Sequence, residues 1–488
     1  MKKLLIVLAV VLMAASAFAS SGNRLFVQPN ATFATGSPAT TNNDDSCDVG
    51  TAPAATLLIP YFEVANSGDQ SVDNTTLFSI TNVSNVAQIA HVTIWSDWSF
   101  PVIDFNIWLT GYDVQAVNLY DILVRGNTIG IPQTGALDNV NSPDGIFSAP
   151  TNPLHEWVTG GATDCNDLPG TIPASLLAEV QSGLTGGPYF DEDQVGGVHA
   201  NMIGYITIDV VAECSVNLPT VGNPYFVNEV LFDNVFIGDW IRVNPSVASG
   251  NFAGASPMVH IRAMPEGGPT IQNAGLAPEN LPFSFYDRYT DDHIDRRQPL
   301  PGVWAARYIE GGGAGTFDTN LIIWREGWNI TTTDTLAAMN ATIPVTEIVR
   351  FDEHENPFVL QPDVCRISPC PPFNPFSTSF PETSSNNING GNFPDDPSTD
   401  SGGWLYLNLN AGLPGAGVTC NDPDPTERCA RVESQNWVVV EQTAEGRYGI
   451  DYDGAWLGNG CSPDPGAIVA ADGSCDPCGI GPLANLVP

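Results

Sequence analysis

Short apolar segments that alternate with turn-forming residues dominate this sequence. The segments are rich in Val, Ile, Tyr, Phe and Trp, and 47 glycines and 40 prolines are spread among 488 residues. β-branched and aromatic residues favour strands, whereas Gly, Pro, Asn and Asp favour turns. The pattern therefore predicts an all-β fold of antiparallel β-sandwich lobes, immunoglobulin-like or jelly-roll-like, with long Gly/Pro/Asn-rich loops.

The predicted strands fall into two blocks along the chain. Alternation of polar and apolar residues is clearest from His91 to Trp95, as expected of a half-buried strand. The first block has strands at 55–64, 75–81, 88–95, 105–109, 206–210, 229–243 and 258–263. The second block has strands at 303–309, 320–324, 345–351, 404–409 and 437–441. One short helix is expected from Ser175 to Val180, because Pro173 and a hydroxyl precede it.

Changes in composition suggest how the chain is organised. We expect a signal peptide at 1–19, a flexible segment at 20–50, a first lobe at 51–270 and a connection at 271–300. A second lobe at 301–460 would carry a long loop at 367–402, and a Cys-rich tail would follow at 461–488. A single large sandwich is the alternative to two lobes. Residues 93–98 and 322–328 both end a strand in a Trp pair, but the match is short enough to arise by chance.

A strand, an Asn-containing turn and a second strand occupy residues 75–95, with Asn82-Val83-Ser84-Asn85 as the turn. This pattern resembles bacterial immunoglobulin-like sandwiches. The resemblance is confined to this segment, and it implies a fold but no activity.

The N-terminus has the three parts of a secretory signal. Lys2 and Lys3 precede an apolar run at 4–14, and Ala17-Phe18-Ala19 provides a small-x-small cleavage site. The apolar run is too short for a membrane-spanning helix. We therefore expect cleavage near Ala19 and a secreted protein, extracellular or periplasmic, without a permanent membrane anchor.

Charge excludes several functional classes. The chain has 54 acidic residues against 16 Lys and Arg, and both lysines, Lys2 and Lys3, lie in the signal peptide. A mature chain without lysine excludes lysine Schiff-base chemistry, a P-loop lysine and Lys–Asn crosslinks. A net charge of −38 makes nucleic acid and anionic membranes poor partners.

The even number of cysteines agrees with export, since disulfides form in oxidising compartments. Spacing favours the pairs Cys365–Cys370 and Cys420–Cys429, with Cys165–Cys214 as a longer link. Cys461 is expected to pair with Cys475 or Cys478, and Cys47 completes the ten.

Metal binding is best supported for calcium, because hard cations take oxygen ligands from acidic loops. The candidate ligands are Asp191, Asp193, Asp395, Asp396, Asp400, Asp451 and Asp453. Surface acids that keep the protein soluble are the alternative explanation. Asp352-Glu353-His354-Glu355 has zinc-ligand residue types but lacks a second histidine at ligand spacing. No cofactor is certain from the sequence.

Two further patterns bear on function. Trp324 and Trp328 would share one strand face and could stack on a sugar, although Trp residues in sandwiches mostly lie in the core. Asp400-Ser401-Gly402-Gly403 resembles the nucleophile loop of chymotrypsin-like proteases, but Thr399 and Trp404 replace its flanking Gly and Pro. A Gly-rich turn before a strand explains this segment more simply.

The sequence favours a secreted or surface-associated structural or interaction protein over an enzyme. Its expected partners are other copies of itself or envelope and extracellular components, and segment 20–50 could add a strand to a neighbouring subunit. The alternative is a secreted carbohydrate-binding or carbohydrate-active protein that uses a carboxylate pair and a Trp platform, with a glycan as its partner.

Overall fold

A computed structural model of the chain contains two β-sandwich lobes. It describes residues 52–69, 73–126, 172–190, 192–212, 219, 225, 229–244, 251–263, 285–286, 297, 300–311, 317–326, 343–345, 347–359, 379–394, 401–409, 435–444 and 448–457. All sheets formed by these residues are antiparallel. The predicted all-β sandwich class is confirmed.

The first lobe is built from residues 54–263. Its elements are β1 (Thr56–Val64), β2 (Thr75–Asn82), β3 (Gln88–Ser96), β4 (Pro101–Leu109), β5 (Val114–Asn118), α1 (Leu119–Leu123), α2 (Ala174–Leu184), β6 (Pro188–Tyr189), β7 (Glu192–Gln194), β8 (Met202–Val211), β9 (Phe236–Asn244), β10 (Asn251–Pro257) and β11 (Val259–Ile261). Five strands form sheet 1A, in the order β11-β1-β8-β3-β4, and four form sheet 1B, in the order β10-β9-β2-β5. Alternate residues such as Leu57, Val92 and Ile206 are buried between the two sheets.

The second lobe is built from residues 303–456. Its elements are β12 (Val303–Ile309), β13 (Phe317–Arg325), β14 (Ile343–Pro344), β15 (Glu347–Asp352), β16 (Pro357–Val359), β17 (Ser379–Phe380), β18 (Thr383–Asn387), β19 (Gly402–Asn408), β20 (Asn436–Ala444), β21 (Tyr448–Asp453) and β22 (Ala455–Trp456). Sheet 2A has the order β16-β15-β19-β12-β22, and sheet 2B has the order β18-β13-β20-β21.

The two lobes have the same topology. Each strand of the two main sheets in the first lobe has an equivalent in the second lobe, and the equivalents follow one another in the same order along the chain. The strands β1, β2, β3, β4, β5, β8, β9, β10 and β11 correspond, in that order, to β12, β13, β15, β16, β18, β19, β20, β21 and β22. With this correspondence, sheet 1A has the strand order of sheet 2A, and sheet 1B has that of sheet 2B. The short sequence match between residues 93–98 and 322–328 does not reflect this repeat, because it aligns β3 with β13. The strand equivalent to β3 is β15, and the strand equivalent to β13 is β2.

The lobes contact each other through a buried interface. Equivalent edge strands β10 and β21 lie side by side, and one hydrophobic core cluster contains residues of both lobes. Thr383 of β18 donates a hydrogen bond to the carbonyl of Pro60 on β1 at 2.5 Å. The rings of Tyr205 and Trp324 meet edge to face, with centroids 5.8 Å apart. The lobes are therefore packed against each other as well as joined by the polypeptide chain.

Some local predictions need correction. The helix expected at 175–180 is α2, but α1 is a second helix, capped by the Asn118 side chain, that the sequence reading missed. The long loop expected at 367–402 contains strand β18, which pairs with β13. The strand expected at 229–243 begins only at Phe236. The signal peptide, segment 20–50, the tail 461–488 and all ten cysteines lie outside the described residues.

Neither described helix has the length and apolar character needed to cross a lipid bilayer.

Candidate functional site

A cluster of one cation and two carboxylates lies between the lobes. Arg242 Nη2 on β9 donates to the two oxygens of Asp451 at 3.1 and 3.2 Å and forms an ion pair with Glu441 Oε1 at 2.9 Å. Glu441 and Asp451 are direct partners in the β20–β21 ladder, so their side chains leave sheet 2B on the same face. We call Arg242, Glu441 and Asp451 the inter-lobe charge cluster.

The local fold holds the guanidinium of Arg242 in place. The rings of Tyr61 and Trp240 each lie 5.8 Å from the guanidinium carbon, in cation–π geometry. Gly254 is the ladder partner of Arg242 on β10. Its missing side chain leaves the space that the carboxylate of Asp451 occupies. A strand with glycine at this position thus admits an acid from the other lobe.

Burial governs the electrostatics of this cluster. Burial alone would lower the pKa of Arg242, but the negative charges of Glu441 and Asp451 outweigh this effect and raise it. Burial raises the pKa of Asp451 to about 6; the attraction of Arg242 opposes this rise, and the repulsion of Glu441 adds to it. One guanidinium therefore neutralises two carboxylates only in part, and the cluster has a site for a proton at mildly acidic pH.

A second polar group crosses the outer face of sheet 1A. Thr56, Asp209, His91 and Asn106 are successive ladder partners on β1, β8, β3 and β4, so they form one row on one face. Thr56 Oγ1 donates to Asp209 Oδ1 at 2.5 Å, and His91 Nδ1 lies 2.9 Å from Asn106 Oδ1. All four side chains are buried.

Residues that follow β8 and β11 in sequence cover this polar row. Tyr225 and Tyr286 donate to Asp209 Oδ2 at 2.6 and 3.0 Å, and Arg297 Nη2 lies 3.4 Å from Asp209 Oδ1. Burial lowers the pKa of His91, so its imidazole is neutral near pH 7. The carboxylate of Asp209 is consequently compensated within the protein, as a buried charge must be.

A partly exposed acid–histidine pair lies at the end of β3. Asp97 Oδ2 is 2.9 Å from His199 Nε2, and Asp97 Oδ1 accepts the Gly197 N–H at 2.8 Å. A Cβ at position 197 would lie 2.6 Å from Asp97 Oδ2 and 2.7 Å from His199 Nε2, so the pair depends on glycine there. A buried carboxylate that orients an imidazole is one component of general-base chemistry, which also requires a correctly placed substrate.

Three of the seven residues proposed as calcium ligands, Asp193, Asp451 and Asp453, lie in the described part of the chain. Asp451 is paired with Arg242, and Asp453 accepts a hydrogen bond from Trp437 Nε1 at 3.1 Å. Asp193 lies on β7. Asp191, Asp395, Asp396 and Asp400 lie outside the described residues. Within the described part of the chain, no group of three or more His, Cys, Asp or Glu side chains could hold a metal ion.

The acidic run at 352–355 forms a turn between β15 and β16. The carboxylate of Asp352 accepts hydrogen bonds from the backbone N–H groups of His354 and Asn356, at 2.8 and 2.9 Å. Desolvation acts to raise the pKa of Asp352, but these hydrogen bonds and that from the Asn356 side chain lower it overall. The position of Asp352 is therefore explained by turn formation.

Trp324, one of the two residues of the proposed Trp platform, is buried in the structure. Trp324 is only 3% exposed and packs against Phe285, with ring centroids 5.6 Å apart, so its face is covered; Trp328 lies outside the described residues. By contrast, Trp404 is half-buried and stacks on Phe351 at 4.5 Å with an interplanar angle of 7°. Arg307, which is exposed, is the ladder partner of Trp404.

Sequence reasoning did not find Arg242 or Trp404. The scarcity of bases in so acidic a chain was an available signal, because a basic residue inside a strand needs an acidic partner. The identity of that partner depends on contact between the lobes. Trp404 was weighed only as a flanking residue of the Gly-rich turn, although it begins a predicted strand.

No protein-family model, curated protein or solved structure matches this chain.

Proposed function

We propose that the chain is a secreted or surface-associated structural or interaction protein. The observation that carries this proposal is the inter-lobe charge cluster. Arg242, Glu441 and Asp451 are buried at the contact between two lobes of one topology, where they join the lobes. Tandem lobes fixed against each other provide a firm extended surface for assembly or adhesion, without requiring a reaction centre.

The burial of the polar row on sheet 1A supports the same proposal. His91, Asp209 and Arg297 are fully buried and lie within one polar layer, where they compensate one another. Groups in such a layer stabilise a unique packing and do not meet a solvent-borne substrate. The signal-peptide pattern at residues 1–19 supports a location outside the cytoplasm.

Light scattering coupled to size-exclusion chromatography tests the proposal. The mature protein is run over a wide range of concentrations, and we expect species larger than a monomer whose proportion rises with concentration. A strict monomer at every concentration that also releases sugars from a polysaccharide would overturn the structural role.

Carbohydrate binding is the second candidate function, and the exposed side of Trp404 favours it. Val303, Val349, Phe351 and Tyr406 form an apolar cluster with Trp404 on the face of sheet 2A that points away from the main core. A planar aromatic side chain beside Arg307 suits a sugar ring that also carries an acceptor oxygen.

Polysaccharide pull-down with Trp404→Ala tests this second function. Loss of binding in this variant, together with retained binding in Phe317→Ala, would support it. Phe317 is a suitable control because it is an exposed aromatic residue on a different sheet, 2B. Absence of binding by the wild-type protein across a broad panel would eliminate it.

A further inference from the structure

The outer edge of β5 has the properties of a strand-docking site. Within the described residues, β5 pairs only with β2 and closes sheet 1B on that side. Natural edge strands often prevent pairing by carrying charged residues or proline. The strand β5, Val-Gln-Ala-Val-Asn, has neither. We propose that this edge accepts the N-terminal segment, residues 20–50, of a second copy of the chain. The inference rests on the proposed structural role.

The hydrogen bonds around β5 show which backbone groups face outward. The N–H of Asn82 donates to Asp113 O at 2.9 Å, so the bonded pairs alternate from there along the β2–β5 ladder. The backbone N–H and C=O groups of Val114 and Ala116 therefore point away from β2. The Val114 N–H donates to Asp113 Oδ1 at 2.9 Å, and the carbonyl of Ala116 accepts a hydrogen bond from Gln115 Nε2 at 2.7 Å. These outward backbone groups thus form hydrogen bonds with neighbouring side chains, and an incoming strand can replace those side chains as the partner.

An exposed apolar patch adjoins this edge. Val86, Tyr112 and Val114 are 55, 73 and 53% exposed. They are neighbours because the Tyr112 N–H donates to Ser84 O and Asn82 Nδ2 donates to Val86 O. Tyr112 has φ = 61°, which is unusual for a bulky residue. Surrounding hydrogen bonds therefore hold an aromatic side chain outward, as is common at binding sites.

The equivalent strand of the second lobe contacts the first lobe through a side chain. The strand equivalent to β5 is β18, which lies against the first lobe through the hydrogen bond from Thr383 to Pro60. Of the five residues of β18, only Thr383 is buried, so this contact involves a side chain at one end of the strand. The β5 edge has no lobe against it in the described structure.

The position where the described chain begins brings the proposed occupant close to this edge. Ala54 bridges to Phe236, Phe236 is the ladder partner of Asn82, and Asn82 bonds to Asp113 next to β5. Three strand spacings, roughly 14 Å, separate Ala54 from the outer strand. Preceding residues are thus within reach of a neighbouring copy that approaches this side.

The composition of segment 20–50 suits strand addition. It contains the β-prone run Leu25-Phe26-Val27-Gln28, and Arg24 is the only charged residue before Asp44. A neutral strand beside the uncharged β5 avoids the repulsion expected between other parts of two chains that each carry a net charge of −38. Because every copy would have one donor segment and one acceptor edge, assembly would proceed head to tail.

Complementation between two full-length mature variants tests the proposal. Ala116→Pro removes an outward N–H without removing a donor to β2, and edge strands tolerate proline. Val27→Pro disrupts the donor run and lies outside the described fold. We expect each variant alone to be monomeric by light scattering and an equimolar mixture to form a dimer. Ala116→Thr, which keeps the N–H, should assemble like the wild type.

The outcomes separate this inference from the proposed function. Assembly of the wild type together with unchanged assembly of both proline variants would overturn the β5 site but leave the structural role in place. A strictly monomeric wild type would overturn the β5 site, and it would overturn the structural role as well only if the protein also released sugars from a polysaccharide. A mixture that stays monomeric while the wild type assembles would also overturn the site. If Ala116→Pro lost the unfolding cooperativity of the wild type, Val27→Pro would still test the site: it should be monomeric alone, and an excess of it should shorten the assemblies of the wild type, because it accepts a donor segment but provides none.

Discussion

Gly254 and the carboxylate of Asp451 occupy one contact between the lobes. A Cβ built on Gly254 would overlap the carboxyl group of Asp451, which at the same time accepts hydrogen bonds from Arg242. Gly254 and Asp451 lie on the equivalent strands β10 and β21. The absence of a side chain on one edge strand therefore allows the buried acid on the other.

Replacing Gly254 with alanine should force the lobes apart locally. We expect Gly254→Ala to lower the free energy of unfolding by about 1–3 kcal/mol, the usual cost of overpacking. Urea unfolding of the mature protein measures this change. Gly391→Ala is the matched control, because a Cβ there meets nothing within 4 Å. Similar losses in both variants would argue against a special role for position 254.

Removing the guanidinium of Arg242 should leave two buried carboxylates without their cation. Arg242→Met keeps the apolar stem, and the expected loss is about 3–5 kcal/mol, as for a broken buried ion pair. Arg125→Met is the comparison. Arg125 pairs with Asp121 at 2.7 Å but is 47% exposed, so its removal should cost less than about 1 kcal/mol. Equal losses in the two variants would contradict the assigned importance of the cluster.

The raised pKa of Asp451 should make stability depend on pH. A carboxyl with a higher pKa in the folded than in the unfolded protein binds its proton more tightly when folded. Its contribution is fully present below about pH 4, the unfolded pKa, and it is lost as pH rises through the folded pKa of about 6.

Asp451→Asn cannot ionise and so provides the reference for this effect. The stability of the wild type relative to Asp451→Asn should fall by on the order of 1–3 kcal/mol between about pH 4 and about pH 7. Denaturant unfolding at both pH values measures the difference. A relative stability that increases over this range would show that the attraction of Arg242 exceeds the cost of burial.

Tyr112 holds a left-handed backbone conformation that glycine adopts more easily. Tyr112→Gly should therefore raise the free energy of unfolding by about 0.5–1 kcal/mol, because relief of the backbone strain exceeds the extra entropy of the unfolded chain. Thermal unfolding is the measurement. Tyr112→Phe keeps the strain and should unfold like the wild type, so a loss of stability in the glycine variant would indicate that the exposed ring makes stabilising contacts.

Local patterns were sufficient to predict strands β2 and β3 and the turn at 82–85 between them. β2 and β3 occupy Thr75–Asn82 and Gln88–Ser96, as alternation and the two flanking asparagines predicted. Strand β18 was missed because Thr383–Asn387 is polar throughout and lies in a segment rich in Asn and Ser. Its pairing with β13 provides the structure that its own sequence does not indicate.

The functional groups were harder to predict because they depend on contacts between distant residues. Trp324 has an ordinary strand sequence around it, and only the packing of Phe285 and Tyr205 decides that its ring is covered. Asp451 likewise belongs to an acidic segment that resembles a calcium loop. Its actual partner, Arg242, is 209 residues away in the chain.

The shared topology of the lobes, joined through equivalent edge strands, has a consequence for how the molecule is held together. The association of separate copies through one edge depends on protein concentration, whereas a covalent link between two lobes makes the same association independent of concentration. The link also permits specialisation. Arg242 on one lobe can face Glu441 and Asp451 on the other, an asymmetric match that identical partners could not make at a shared position. Because the contact uses an edge strand from each lobe, β10 and β21, the two lobes hold each other by the same part of their fold.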